Sequence, residues 1–248
     1  MAVVLREAWS TVVPDPDSRH GPLPPLMLAL TFVTGLVDAV SYLLLGRVFV
    51  ANMTGNVVFS GFALAGAPGF SLAASLVALA AFASGALTGG LIVHRTGART
   101  HRGRMLQYAL LAETVFVTAA LVVTLISGTP YSGGVRFTLI VLLGLGLGVQ
   151  NAASRALAVP DLTTTVLTLT LTGVASDSRL AGGGGSRAGR RVMSAAAMLL
   201  GALAGGAAVL NGRPTLPLLL VVAVLAVASA AAALLARSGA PWTEPSGK

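Results

Sequence analysis

The feature that most constrains this chain is a succession of long apolar runs that extends from residue 25 to residue 236. A helix that crosses a bilayer needs about 20 largely apolar residues. The sequence therefore predicts an all-α polytopic membrane protein, with a polar N-terminal tail (1–24), a single transmembrane domain (25–236) and a C-terminal tail (237–248). Eight runs approach the required length, and they cover residues 25–45, 48–65, 70–93, 105–126, 137–153, 162–175, 192–210 and 216–236.

The composition agrees with a chain that is mostly surrounded by lipid. Charged residues make up only 10% of it, against about a quarter of an average globular domain. Such a chain cannot cover a soluble surface with charge, which argues against a cytosolic enzyme or a secreted module. The sequence holds no cysteine, and its three histidines lie in the tail or in a loop. We therefore expect no metal site and no cofactor.

The net charge of +8 is confined to particular loops. A basic balance often indicates nucleic acid, but basic gaps between apolar runs are typical of cytoplasmic loops. We therefore expect both Arg-rich loops to be cytoplasmic, with the lipid bilayer rather than nucleic acid as partner. Half of the sixteen basic residues fall in these two gaps, namely Arg95, Arg99, Arg102, Arg104, Arg179, Arg187, Arg190 and Arg191.

Two of the eight runs are poor spans. Run 48–65 follows Arg47 and carries four polar or glycine residues near its start, whereas run 162–175 alternates Thr with Leu or Val. β-Branched residues favour extended backbone, and irregular backbone at membrane depth is tolerated only where protein or a water-filled cavity surrounds it. We therefore predict that both runs are broken or re-entrant segments.

The loop charges support this prediction by parity. If all eight runs cross, three spans separate the two Arg-rich loops and one loop faces outward. If neither poor span crosses, six spans remain and both loops face the cytoplasm together with both termini. A seven-span alternative, in which only run 162–175 is re-entrant, also satisfies the loops but places the N-terminus outside. We favour six spans because an internal repeat makes the two poor spans equivalent.

The repeat relates residues 25–127 to residues 137–236, approximately. Its matches are 35–39 with 148–152, Thr54 with Thr168, and 85–90 with 201–206, at offsets of 113, 114 and 116 residues. Because the first copy contains three full spans, an odd number, the second copy has the opposite orientation in the membrane. Inverted repeats with paired discontinuous segments are typical of secondary transporters. The repeat also contains two GxxxG pairs, which serve either tight packing within one chain or a functional contact, namely a dimer seam or a moving interface.

Asp38 is the most informative candidate for a binding role. An ionisable group within a span costs about 2.5–3.5 kcal/mol, so it is expected to face the interior or a cavity with a partner. One hypothesis makes Asp38 a proton or cation carrier. The other makes it a structural hydrogen-bond acceptor that holds the broken segment through Asn52 or Thr54. Asn151 occupies the equivalent position in the second half, with the same shape but no charge.

The remaining candidates surround the two breaks. A helix that starts at Gly55 or Asn56 would offer free N–H groups to an anion. The alternative role of these polar side chains is to satisfy the backbone groups that a break releases. The full set of predicted solute- or ion-binding residues is Asp38, Asn52, Thr54, Gly55, Asn56, Gln150, Asn151, Thr165 and Thr168.

A possible charge pair involves Glu113, which lies in the middle of run 105–126. Arg47 and Arg155 flank the two poor spans, and either could pair with Glu113. The alternative for both arginines is that they extend to the membrane surface.

The residues around the first break resemble a known family. The strings Thr34-Gly35-Leu36-Val37-Asp38-Ala39 and Val50-Ala51-Asn52-Met53-Thr54-Gly55-Asn56, with Gln150-Asn151-Ala152 later, are similar to those of the YoaK family of bacterial membrane proteins, a domain of unknown function. The resemblance covers about 25–236 and implies a bacterial inner (plasma) membrane. Members commonly carry Thr-Thr-His-x-Thr-Gly in the second half, whereas residues 164–169 here are Thr-Thr-Val-Leu-Thr-Leu.

We predict from these features a small secondary transporter or permease-like protein whose site for a small polar solute or ion lies between the broken segments. The alternative is a non-transporting membrane scaffold or interaction subunit. We expect no enzyme, because no catalytic constellation is present and Glu113 is the only acidic candidate to assist Asp38. A chain of 24.8 kDa is small for alternating access, so we also expect a homodimer.

Overall fold

The structure is a computed structural model that describes residues 2–15, 18–95, 101–160, 162, 172–173, 175, 188–237 and 239–244. The described residues form helices joined by loops, with no strand among them. The described helices are α1 (Ala2–Val12), α2 (Leu23–Leu44), α3 (Met53–Leu64), α4 (Leu72–Arg95), α5 (Arg102–Ser127), α6 (Gly133–Leu157), α7 (Ala188–Leu210) and α8 (Leu216–Leu235), followed by a 3-10 turn (Pro241–Thr243).

Six of the described helices are long and apolar enough to cross a membrane, namely α2 and α4 to α8. By contrast, α3 has only 12 residues, which at 1.5 Å per residue gives about 18 Å against the roughly 30 Å of a bilayer core. The predicted all-α polytopic membrane protein is therefore confirmed, and the short α3 favours six spans over seven. The second poor span, 162–175, lies almost entirely outside the described residues.

Four of the spanning helices form a central ring. In it, α2 packs on α6 and α8, and α5 packs on the same two helices. Outside the ring, α4 covers α6 and α7 covers α2, while α3 lies on α4 and α1 on α7. Exchanging α2 with α6, α4 with α7 and α5 with α8 leaves the contacts between the six spans unchanged. The spanning helices are thus arranged with the pseudo-twofold symmetry that the repeat predicts.

The glycines of the repeat make the two outer contacts close. Gly85 of α4 lies against the Leu145 carbonyl of α6, with no room for a side chain, and Gly201 of α7 lies in the same way against the Phe32 carbonyl of α2. A Cβ at Gly89 would lie 2.7 Å from that of Ala152, and one at Gly205 would lie 2.9 Å from that of Ala39. These contacts fall at the repeat offsets.

These contacts show which helices the GxxxG pairs pack against. Each pair packs against a helix of the other half within the same chain, where small residues allow the backbones to approach. Glycines of the ring helices complete the interlock from the opposite side: Gly148 meets the Phe82 carbonyl, and Gly35 meets the Met198 carbonyl. The GxxxG faces are therefore occupied within the chain and do not form a dimer seam.

The described residues that flank both Arg-rich loops lie at the same end of the bundle. Arg102, at the start of α5, is buried and donates hydrogen bonds to the carbonyls of Arg19, Leu157 and Trp242. It thereby joins the chain before α2, the end of α6 and the segment after α8. At the second loop, Arg190 donates to the Pro160 carbonyl at 3.5 Å. This is the arrangement that the six-span topology requires.

The N-terminal tail contains a helix that the sequence analysis did not predict. Residues Ala2–Val12 form α1, which packs on the start of α7. There the Gly189 N–H donates to Glu7 Oε2 at 3.1 Å, so a carboxylate lies at the positive end of the α7 helix dipole. This helix was missed because the residue that it contacts lies 182 positions away in the sequence.

We predict that substitution by alanine destabilises the protein at the tightly packed glycines and not at nearby glycines that have space for a side chain. Gly85→Ala and Gly201→Ala place a Cβ against a backbone carbonyl that cannot move aside, and we expect each to lower the free energy of unfolding by about 1–3 kcal/mol. The matched controls are Gly90→Ala, where nothing lies within 4 Å, and Gly206→Ala, where the nearest atom is 3.9 Å away. We expect the controls to be neutral or slightly stabilising, because alanine is the better helix former.

The measurement is the melting temperature of the purified protein in detergent. Equal melting temperatures for all four variants would contradict the interlocked packing of the two halves.

Candidate functional site

One face of α2 is polar and buried. Its four polar side chains, spaced by three, four and three residues, share one side of the helix, and all are buried: Thr31, Thr34, Asp38 and Ser41. The two threonine hydroxyls donate to the carbonyls of Met27 and Leu30, and Ser41 donates to that of Asp38. Polar groups in a membrane interior are costly and usually functional, so this face is the first candidate site.

Asp38, in the last third of α2, is held at the start of α3. Its Oδ1 accepts from the Ala51 N–H at 3.3 Å, and its Oδ2 accepts from Nδ2 of Asn52. The carboxylate thus lies at the positive end of the α3 dipole, where a negative charge is favourable. The structure shows the hydrogen bond to Asn52 that one hypothesis predicted. The donors are the Ala51 N–H and the Asn52 side chain, whereas the Gly55 N–H donates to the Asn52 carbonyl.

The other residues of the first break mainly support its backbone. Asn56 is fully buried; its Oδ1 accepts from the Phe49 N–H at 2.9 Å, and its Nδ2 donates to the Phe49 carbonyl at 2.6 Å. A Cβ at Gly55 would lie 2.7 Å from the Phe49 ring, so glycine lets this ring pack on α3. Thr54 is exposed and does not bond to Asp38.

An aromatic cluster that sequence analysis missed fixes α3 against the end of α2. Its ring centroids lie 5.2–6.3 Å apart, and the Arg47 guanidinium lies 5.6 Å from the centroid of Phe70. The concentration of aromatic residues between 42 and 70 was a readable signal, because the chain is only 5% aromatic. The cluster contains Tyr42, Phe49, Phe59, Phe62 and Phe70.

In the second half, Gln150 of α6 bonds directly to the polar face of α2. Its Nε2 donates to Thr34 Oγ1 at 2.9 Å, one helical turn from Asp38. Asn151, the repeat equivalent of Asp38, donates to the Leu147 carbonyl at 2.9 Å. The remaining predicted residues, Thr165 and Thr168, lie outside the described residues. The structure therefore brings together Asp38 with Asn52, and Gln150 with α2.

The predicted charge pair does not form. Glu113 of α5 is fully buried, and neither of its carboxylate oxygens has a hydrogen-bond partner among the described residues. Arg47 is engaged with Phe70, and Arg155 is exposed near the end of α6. Both arginines therefore lie near the ends of helices, whereas Glu113 lies in the middle of one. Glu113 faces α6, where a Cβ at Gly146 would lie 3.7 Å from its Cγ.

Among the described residues, two cavities lie next to each other as apolar grooves between α2 and α8. Their volumes are about 370 and 320 Å³, and they share Leu26 and Ala231. None of the polar residues discussed above lines them. Within the described ranges, no three His, Asp or Glu side chains cluster as a metal site would require.

Comparison with known proteins supports the membrane class. The model of a family described as "Protein of unknown function (DUF1275)" matches residues 26–232. The UPF0700 transmembrane protein YoaK of Bacillus subtilis (strain 168) is 33% identical over 154 residues, which are 61% of this chain and 65% of that protein. The match thus spans slightly less than two thirds of the relative. No solved structure matches the chain.

We predict that reversing the Asp38–Asn52 pair restores stability that either single change removes. Asp38→Asn leaves one oxygen for two donors, and Asn52→Asp places two carboxylates together; each is expected to cost about 1–3 kcal/mol. In the double variant, the amide at 38 donates to the carboxylate at 52 and still accepts from Ala51.

The measurement is a double-mutant cycle on the melting temperature in detergent. Asn211→Asp at the exposed end of α7 is the control for an added carboxylate. A double variant whose loss of stability equals the sum of the two single losses would contradict the pairing.

Proposed function

The chain belongs to the DUF1275 family of proteins of unknown function, and we propose that it is a small secondary transporter for a small polar solute or ion. The family supplies a multi-pass membrane protein but no substrate. The proposal therefore rests on the arrangement of the polar groups inside the bundle.

The observation that carries the proposal is the buried polar contact between α2 and α6. These helices are equivalent in the two halves, and Gln150 meets Thr34 one turn from Asp38 where they touch. Secondary transporters built from inverted repeats bind substrate where the repeats meet, next to discontinuous helices. Asp38 lies beside such a discontinuity, at the start of α3. Fully apolar packing would hold these helices together without the cost of buried polar groups.

The short helix α3 is the element best suited to open the site. Only Asn56 of its twelve residues is buried, and Val57, Val58 and Leu64 are 60%, 47% and 73% exposed. Apart from the aromatic contacts of Phe59 and Phe62, α3 has few buried contacts to break, and an element of this kind opens at low cost. Displacing α3 removes the Ala51 and Asn52 donors from Asp38 and frees its carboxylate for a cation, a proton or the donor groups of a polar solute. In this proposal Asp38 is the coupling group.

The proposed orientation follows from the arginines. With the Arg-rich end in the cytoplasm, as the charge rule favours, α3 lies toward the outer surface of a bacterial inner membrane. The Asp38 site is then reached from outside when α3 moves. The opposite route would start at the Arg-rich end, where α6 ends.

A non-transporting scaffold is the second candidate, and two observations favour it. Asp38 is already satisfied by Ala51 and Asn52, and the grooves between α2 and α8 are apolar. Both agree with an interior built only for packing. The exposed apolar face of α3 would then bind a partner helix.

We predict that the reversed pair separates stability from transport. Asp38→Asn/Asn52→Asp moves the carboxylate from α2 to α3, so we expect it to fold but to lose solute-driven current by about tenfold or more, as loss of a charged contact of about 1.4 kcal/mol implies. The measurement is transient current from proteoliposomes on a solid support, challenged in turn with amino acids, sugars, inorganic cations and inorganic anions. Asn211→Asp is the control and should retain the current.

Equal currents from the parent and the reversed pair would remove Asp38 from the mechanism. An absence of current with all four solute classes would favour the scaffold.

A further inference from the structure

Glu113 is a buried carboxyl group that the proposed transport site does not use. It is 0% exposed, and among the described residues both of its oxygens are without a hydrogen-bond partner. An ionised carboxylate in such a place costs several kcal/mol unless a cation or several donors compensate it.

The helices around Glu113 supply no such compensation. The titratable groups of α4 and α6 lie near helix ends: His94 and Arg95 on α4, Arg136 and Arg155 on α6. Helix α8 carries no titratable side chain. The titratable side chains of α2 are Asp38 and Tyr42, and the Tyr42 ring lies in the aromatic cluster with Phe49. Arg136 lies over the Phe137 ring and Arg155 is exposed. Among the described residues, no cation therefore lies in the middle of these helices to balance Glu113.

Gln150 has an unsatisfied acceptor in the same region. Its Nε2 donates to Thr34 on α2, but its Oε1 is buried without a partner among the described residues. A buried amide oxygen left unpaired costs about 1–3 kcal/mol. What the amide lacks is a donor, and a neutral carboxylic acid is a donor.

Helix geometry brings the two groups together. Glu113 Cγ lies beside Gly146, and Gln150 is four residues further along α6 on the same face. The start of α5 bonds to the end of α6, so the two helices are antiparallel. Side chains lean toward the N-terminus of their own helix, so Glu113 leans toward the level of Gln150 and Gln150 leans toward the level of Gly146. Gly146 has no side chain, which leaves the gap open.

We propose that Glu113 is a proton-binding site, held as a neutral carboxylic acid whose O–H donates to Oε1 of Gln150. One hydrogen bond then satisfies both buried groups. It also completes a line from α5 through α6 to α2, in which Glu113 donates to Gln150, Gln150 to Thr34, and Thr34 to the Leu30 carbonyl. Loss of the proton breaks this line at its α5 end.

This site adds a second coupling group, one that binds a proton, to the Asp38 of the proposed transporter, and that part of the inference rests on the proposed function. The line of hydrogen bonds passes through Thr34, which lies one turn from Asp38 on the same face of α2. Binding or release of a proton at Glu113 therefore changes the contact between α6 and α2 next to the solute site. The coupling ion is accordingly a proton.

Infrared spectroscopy of the full-length protein in lipid tests the proton site without any transport assay. We expect the parent to show the C=O band of a neutral carboxylic acid at neutral pH, and we expect Glu113→Gln to lose it. Glu113→Gln should have the same melting temperature as the parent, because its amide N–H donates to Gln150 as the acid does. Gln150→Leu should keep the band but shift its frequency, because the acid loses its acceptor.

Three results would overturn the proton site. The first is a difference infrared spectrum, parent minus Glu113→Gln, that shows only the bands of an ionised carboxylate. The second is a band whose frequency is the same in Gln150→Leu. The third is a band that is replaced by the carboxylate signal when sodium chloride is added, because the site would then bind a metal cation.

Proteoliposome currents test the coupling separately. Solute currents that follow an imposed pH gradient in the parent but not in Glu113→Gln support proton coupling, and currents that ignore the gradient in both overturn it. Without any solute current the proposed function fails and the coupling with it, while the infrared result still decides the proton site.

Discussion

Close backbone contact between the two halves of the chain is the constraint on which the rest of the structure depends. In lipid, no hydrophobic force drives helices together, so association relies on van der Waals packing and interhelical hydrogen bonds. Here α4 lies against α6 and α7 against α2, with glycine on both helices of each contact. Because each contact joins one half to the other, neither half can bury its own helix faces alone. The central ring of α2, α5, α6 and α8 follows from this exchange.

The ring encloses a few polar groups in an otherwise apolar interior. Asp38 is compensated by donors at the start of α3, and Gln150 by Thr34 on the partner helix. Glu113 is compensated only if it carries a proton. Asp38 and Gln150 lie on α2 and α6, the two helices that correspond to each other in the repeat, and Glu113 lies on α5, which packs on α6. A polar site where two equivalent halves meet can change shape with small movements of either half, which is why the arrangement suits transport better than packing alone.

The sequence predicted the number of spans and the repeat, but not which residues contact each other. Six spans followed from run length and loop charge, and the repeat followed from glycine spacing, because helix periodicity keeps such spacing visible. The structure shows that Gly85 contacts Leu145 of the same chain. The sequence could not predict this contact, because glycine spacing does not identify the opposing helix and a second copy of the chain was equally compatible with it. For Glu113 the sequence left two alternatives open, and the charge pair does not form because Arg47 and Arg155 lie near helix ends. Helix α1 was missed because its partner residue, Gly189, is distant along the chain.

The central claim is that water and solute reach the polar contact between α2 and α6. The most direct test is the reaction of Thr34→Cys with a charged, membrane-impermeant thiol reagent in oriented membranes, since the chain has no native cysteine. Ala65→Cys, exposed after α3, is the reactive control, and Val117→Cys, fully buried in α5, is the unreactive one. The account predicts that Thr34→Cys reacts, at a rate that changes when a transported solute is added. A Thr34→Cys variant as unreactive as Val117→Cys under every condition would contradict it.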